Sequence, residues 1–154
     1  MDHYEVFGDK VVAGNYEVGE LYLVERDADS DGDGERIFFR VDTPIVHAWP
    51  ARLKFNGLYV DHIAGTGKIN EPSDDEEPML QVWISEDSGK NFWHWDDFEM
   101  GNINEPLRNI ETHGLGTPGP DGYVFSFRCP CNVPRGLISA KIDVELVQQR
   151  RTNG

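Results

Sequence analysis

Cysteine is scarce: the 154 residues hold only Cys129 and Cys131, flanking Pro130. Neighbours this close rarely bridge each other, because both side chains would have to leave their preferred directions. Two thiolates alone cannot fill a tetrahedral zinc site. Neither a disulfide framework nor a zinc knot is expected, and both thiols should sit reduced in or beside a strand. Basic side chains are also few, 14 against 28 acidic ones, for a formal net charge of -14. A sequence-independent nucleic-acid binder needs clustered Lys and Arg to displace counterions, so the balance argues against that class. No apolar run approaches the roughly 18 residues of a membrane-spanning helix. The start, Met1-Asp2-His3-Tyr4-Glu5, lacks the basic and apolar regions of a signal peptide. It sets the expectation of synthesis and retention in a cytoplasm-like compartment.

Catalytic signatures are thin as well. His3, His47, His62, His94 and His113 form no His-x-His or His-x-x-x-His pair, so no first-row metal site can be read from them. No Gly-x-Ser-x-Gly elbow marks a serine nucleophile. No enzyme is expected, and no cofactor.

What the chain does hold is 38% hydrophobic residues, with aromatics making up 11% of the chain. That is enough apolar material for a folded core at this length. Helical periodicity is missing, and alternation with period two recurs in its place, which is the strand signature. The clearest run lies near the end. Ile138, Ala140, Ile142, Val144 and Leu146 share one face, while Ser139, Lys141, Asp143 and Glu145 share the other. The spacing predicts a strand with one face on a core and one in water.

Further strands are predicted at residues 10–14, 20–25, 36–41, 53–63, 79–85, 91–95, 107–111 and 123–129. Turn chemistry separates them at Gly8-Asp9, Gly19, residues 27–35, Asn56-Gly57, Gly65-Thr66-Gly67 and Gly101-Asn102. Two contact-loop candidates stand out: residues 70–78, acidic and proline-bounded, and residues 112–122, dense in Gly and Pro. Eight or more strands with short connections predict an all-β fold: an antiparallel sandwich, a barrel or a partial propeller-like meander. Residues 1–147 read as one all-β domain and 148–154 as a polar basic tail.

Ser85-Glu86-Asp87-Ser88-Gly89-Lys90-Asn91-Phe92 fits Ser-x-Asp-x-Gly-x-x-aromatic, the Asp box. Asp87 can accept N–H groups of the turn that follows it. Gly89 can adopt the positive φ that a tight hairpin requires. Phe92 starts the return strand and can pack under the turn. The box resembles those of sialidases and other β-propellers, where it is a fold element remote from the chemistry. Ser85, Asp87, Gly89 and Phe92 are therefore read as turn-structural. A glycan or partner contact on Trp83, Trp93 and Trp95 is the alternative. A sialidase-like enzyme is set aside, because blades of about 40–50 residues would number only about three here.

The acidic stretch Asp27-Ala28-Asp29-Ser30-Asp31-Gly32-Asp33 matches the first half of an EF-hand calcium loop. The second half fails, with Gly34 at loop position 8 and Phe38 where a bidentate Glu belongs. The flanks also read as strands instead of helices. A polar hairpin tip is the leading reading. Calcium on Asp27, Asp29, Asp31 and Asp33 is the alternative, tested by calorimetry at millimolar calcium.

The order of motifs along nearly the whole chain resembles the C-terminal portion of the packaged-DNA stabilisation (tail hub) proteins of short-tailed phages, the tail accessory factors that plug the portal. The matching residues are Val6-Phe7-Gly8, Val12 to Tyr16, Gly19 to Leu23, the acidic tip before Ile37, the Asp box, and Met100-Gly101. They continue through Leu115-Gly116, Tyr123-Val124-Phe125, Pro130 and Ile138 to Glu145. Family members are much longer, and residues 112–122 are richer here in Gly and Pro than the family pattern. The resemblance implies a structural virion protein in the tail, made in the host cytoplasm. It would form a homo-oligomeric ring below the portal and contact portal or other tail proteins. It would help retain or channel packaged DNA, without sequence-specific DNA binding or a membrane. An acidic channel wall would not hold the DNA it must let pass.

Overall fold

A computed structural model describes residues 3–8, 10–15, 19–24, 37–63, 77–101, 109–131, 133 and 136–147. Among these residues there are ten strands and no helix. The protein is all-β, and among the described residues the strands form three antiparallel sheets with no closed barrel. It divides into two compact units, Met1–Ile37 and Phe38–Gly154.

The first unit is a meander of β1 (His3–Phe7), β2 (Lys10–Asn15) and β3 (Glu20–Val24). Gly8 and Gly19, at φ of 65° and 70°, turn the chain beside these strands, as the turn chemistry predicts. Strand β1 was not expected, because His-Tyr-Glu-Val-Phe alternates too weakly to announce itself; it forms by pairing along the whole of β2.

The second unit holds two sheets. One runs in the order β10 (Leu137–Val147), β5 (Arg52–His62), β8 (Ile110–Gly116). The other runs β4 (Phe39–Asp42), β9 (Val124–Cys129), β6 (Met79–Ser85), β7 (Trp93–Glu99). Their inner faces share one hydrophobic cluster. Leu53, Phe55, Leu58 and Val60 of β5 meet Leu80, Val82 and Ile84 of β6 and Phe125 and Phe127 of β9. The Phe55 ring lies 4.7 Å from Tyr123 and 6.0 Å from Phe125, so aromatic contact joins the two layers. Each buried side chain of this size contributes about 1.5–3 kcal/mol. Cys129 and Cys131 form no disulfide and are buried in this core.

Bulges reconcile the sequence with this core. On β5, Leu53 and Phe55 are odd and Leu58 and Val60 are even, yet all four are buried. A regular strand would send the two pairs to opposite faces. Register steps place Asn56 out of pairing with both neighbours: Asp143 pairs Gly57, and Val144 pairs Phe55. The extra residue restores the inward face. Asn56-Gly57 is thus a mid-strand bulge and not the turn its composition predicts. Gly57 suits the close approach there: a Cβ would come to 3.0 Å from His113 Nδ1 and 3.3 Å from the Tyr59 side chain, which would have to shift.

Three other expectations are corrected. Strand β8 runs to Gly116, so the first half of the expected 112–122 loop is strand, paired with β5 through Thr112↔Leu58 and His113↔Gly57. Long-range pairing overrides the local Gly signals. Strand β7 extends to Glu99, beyond the predicted 91–95. Strand β10 has the predicted alternation, with Ala140, Ile142, Val144 and Leu146 opposite Val60, Leu58, Phe55 and Leu53. That face is nevertheless largely uncovered: Leu137 and Ile142 pack on the core, but Val144 is 37% exposed and Leu146 63%. Ile138 falls at a bulge and is 61% exposed. The reason is position, since β10 is an edge strand.

Candidate functional site

The Asp box sits in the β6–β7 hairpin, and its polar atoms are engaged by the turn itself. Ser85 is fully buried at the end of β6. Its hydroxyl donates to Asp87 Oδ1 at 2.7 Å and accepts from the N–H groups of Gly89 at 2.9 Å and Asp87 at 3.3 Å. Asp87 Oδ1 accepts from the N–H groups of Asn91 at 2.9 Å and Lys90 at 3.1 Å. Oδ2 takes the Asn91 side-chain amide at 2.6 Å. The Asn91 bonds, first from its backbone and then from its side chain, hold the Asp87 carboxyl far below the ordinary carboxylate range, with Ser85 adding to them. Ser88 and Gly89 adopt φ of 63° and 85°, which lets the turn curl over the carboxylate. Gly89 rests against the Phe92 ring, where a Cβ would lie 3.8 Å from Cζ.

Phe92 leads from the turn to a second cluster, on the outer face of the four-stranded sheet. Register sets Arg40 of β4 beside Arg128 of β9, and Trp83 of β6 beside His94 of β7. The Arg128 guanidinium lies 4.4 Å from the Trp83 ring centre and 5.2 Å from Phe92; Arg40 lies 5.1 Å from Phe92. His94 meets Trp83 edge-on at 5.3 Å, and His94 Nε2 lies 2.8 Å from Asp97 Oδ1. Two like charges side by side on neighbouring strands repel. Arg40 is balanced by Asp42, which accepts from Nε at 2.9 Å and from Nη2 at 2.7 Å. The Arg40 hydrogen bond holds the Asp42 carboxyl below its ordinary value. Arg128 donates Nε–H to Ser126 Oγ at 3.0 Å, its guanidinium is held over the Trp83 and Phe92 rings, and the Asp42 charge also acts on it. Burial first, and then the Arg40 charge, lowers its pKa.

The three candidate tryptophans are divided. Trp83 belongs to this outer face, stacked under Arg128. Trp93 and Trp95 form their own edge-on pair at 5.4 Å. Trp93 pairs with the inward Ile84, and a bulge between Val82 and Trp83 leaves Trp95 as the extra residue of β7. Trp95 packs on the core, and its indole N–H donates to Thr112 Oγ1 of β8 at 3.4 Å. Trp93 remains 41% exposed at the sheet edge. A platform of all three is therefore not formed, while the Trp93–Trp95 pair is.

The calcium set Asp27, Asp29, Asp31 and Asp33 lies outside the described residues, as does most of residues 70–78. Among the described residues no group of three or more His, Cys, Asp or Glu side chains is placed to hold a metal ion. His113 Nε2 meets Glu111 Oε1 at 2.7 Å on the exposed face of β8. His62, at the end of β5, is buried with both ring nitrogens lacking a hydrogen bond, next to a buried unbonded Oδ1 of Asp61. Burial pushes the His62 pKa down; the Met100 backbone and the Asp61 charge act the other way without forming a hydrogen bond to the ring.

Sequence reasoning missed the Arg40–Phe92–Arg128–Trp83 stack. Parity places Arg128 and Ser126 on one face of their strand, but nothing local shows that residues 40, 83, 92 and 128 converge. The strand order β4-β9-β6-β7 brings them together. No family model matches the chain, and no curated protein matches it.

Proposed function

We propose that this chain is a structural, non-catalytic protein of a short-tailed phage tail. It assembles in a ring below the portal and helps retain or channel packaged DNA. The observation that carries the reading is the order of its motifs, from Val6-Phe7-Gly8 through the Asp box to Ile138–Glu145, along a chain that is all-β. The Asp box fits it, since Ser85 and Asp87 bind the turn's own backbone, as a turn-structural element does. Its partners are other copies, the portal and neighbouring tail proteins. The test is co-purification of the chain with a short-tailed phage portal protein, followed by negative-stain imaging.

A glycan-binding module is the second reading, favoured by one observation: the half-exposed Trp93 stacked edge-on against Trp95 at a sheet edge. Stacking on a sugar ring would use that pair. It predicts binding on a glycan array that Trp93→Ala abolishes.

A further inference from the structure

The free edge of β10 has a property that reaches beyond the tail reading. Among the described residues β5 is its only partner. From Ser139 to Val147 the strand follows β5 with no extra residue of its own, because the step between Asp143 and Val144 is taken up by Asn56 of β5. A long, regular edge presents a row of unpaired N–H and C=O groups and is a template for another strand. Natural edges are often blunted by a charged residue, and here Lys141 and Asp143 stand at the middle of β10. Both are exposed, and among the described residues neither makes an ion pair. Glu145, by contrast, is held by Lys54 of β5 at 3.7 Å.

We propose that β10 pairs antiparallel with β10 of a second copy, about a two-fold axis through Ile142. In that register Lys141 lies opposite the second copy's Asp143, and Asp143 opposite its Lys141. The two charges that block other strands are neutralised by their own complement. Ala140 meets Val144 on the face the strand shares with the core side of β5, and the exposed Leu146 comes opposite the exposed Ile138 at the bulge. Ser139 faces Glu145, so no like charges oppose each other. Directly opposed side chains in such a ladder have Cβ atoms about 4.5–5.5 Å apart, close enough for each of these pairs to form. The contact is isologous and closes at two copies. It joins β8-β5-β10 of each copy into one six-stranded sheet. The net charge of -14 per chain opposes any self-association. At about 0.15 M salt, charges more than roughly 8 Å apart are screened, while the adjacent Lys141–Asp143 pairs are not.

The experiment is sedimentation velocity of the full chain at about 0.15 M salt, with circular dichroism to verify folding of each variant. The expected species is a dimer of the 17.5 kDa chain. Lys141→Glu sets like charges across the axis and weakens the dimer at least about tenfold, equivalent to about 1.4 kcal/mol. The double swap Lys141→Asp with Asp143→Lys exchanges the charges and restores it. A wild-type chain that stays monomeric at high concentration overturns the proposal, as does a dimer indifferent to Lys141→Glu. Rings of more than two copies that survive Lys141→Glu also overturn it, and leave the tail reading standing.

Discussion

At the scale of single residues, Asp87 and Ser85 carry the hairpin that the sequence announces most clearly. Asp87→Ala removes the acceptor for Lys90, Asn91 and Ser85 together and is expected to lower the unfolding temperature. Ser85→Ala, at a buried position, should cost about 1–3 kcal/mol by leaving the Gly89 N–H without its acceptor. The Asp87 carboxyl is depressed in the folded state, so its contribution is complete above the ordinary value of 3.8 and is lost as pH falls toward its folded pKa. Asp87→Asn should therefore flatten the acid limb of a stability curve below about pH 4. His62 works at milder pH. Its folded pKa lies below the ordinary 6.5, so the unfolded chain takes up the proton first and stability falls as pH drops through that value. His62→Leu should abolish the part of the slope that sets in below the ordinary histidine value of 6.5, read from denaturant midpoints at each pH.

At the scale of elements, face was legible and neighbour was not. The run at residues 79–85 was readable to the residue, because Leu80, Val82 and Ile84 recur with period two and the Asp box ends the strand. Alternation in β10 was readable too, yet its burial was not, since edge or centre is decided by distant strands. The bulges at Asn56 and Trp95 defeated parity for a different reason. A single inserted residue looks like a turn, or like nothing, until both neighbouring registers are known. The same limit hid the Arg40–Phe92–Arg128–Trp83 stack, whose members come from β4, the hairpin, β9 and β6. Gly122 belongs to this scale. It has a φ of 74°, and a Cβ there would strike the Val46 carbonyl, in the bridge that ties residue 46 to Tyr123. Gly122→Ala should destabilise by more than the roughly 1–2 kcal/mol of a left-handed residue, because that clash is added; chemical denaturation reads the loss.

At the scale of the whole molecule, charge and edges bear on assembly. A chain with twice as many acids as bases should leave duplex DNA unshifted in a gel even at low salt, as the proposed role beside packaged DNA requires. The Asp box, which first hints at glycosidase chemistry, serves in this account as a marker of position, fixing the hairpin from which the motifs on either side are ordered. The measurement that tests the central claim most directly is negative-stain microscopy of the purified chain mixed with a short-tailed phage portal protein. A ring of copies seated on the portal's tail-facing end is the predicted result. Portal particles that remain bare, with the chain dispersed at saturating concentration, would contradict it.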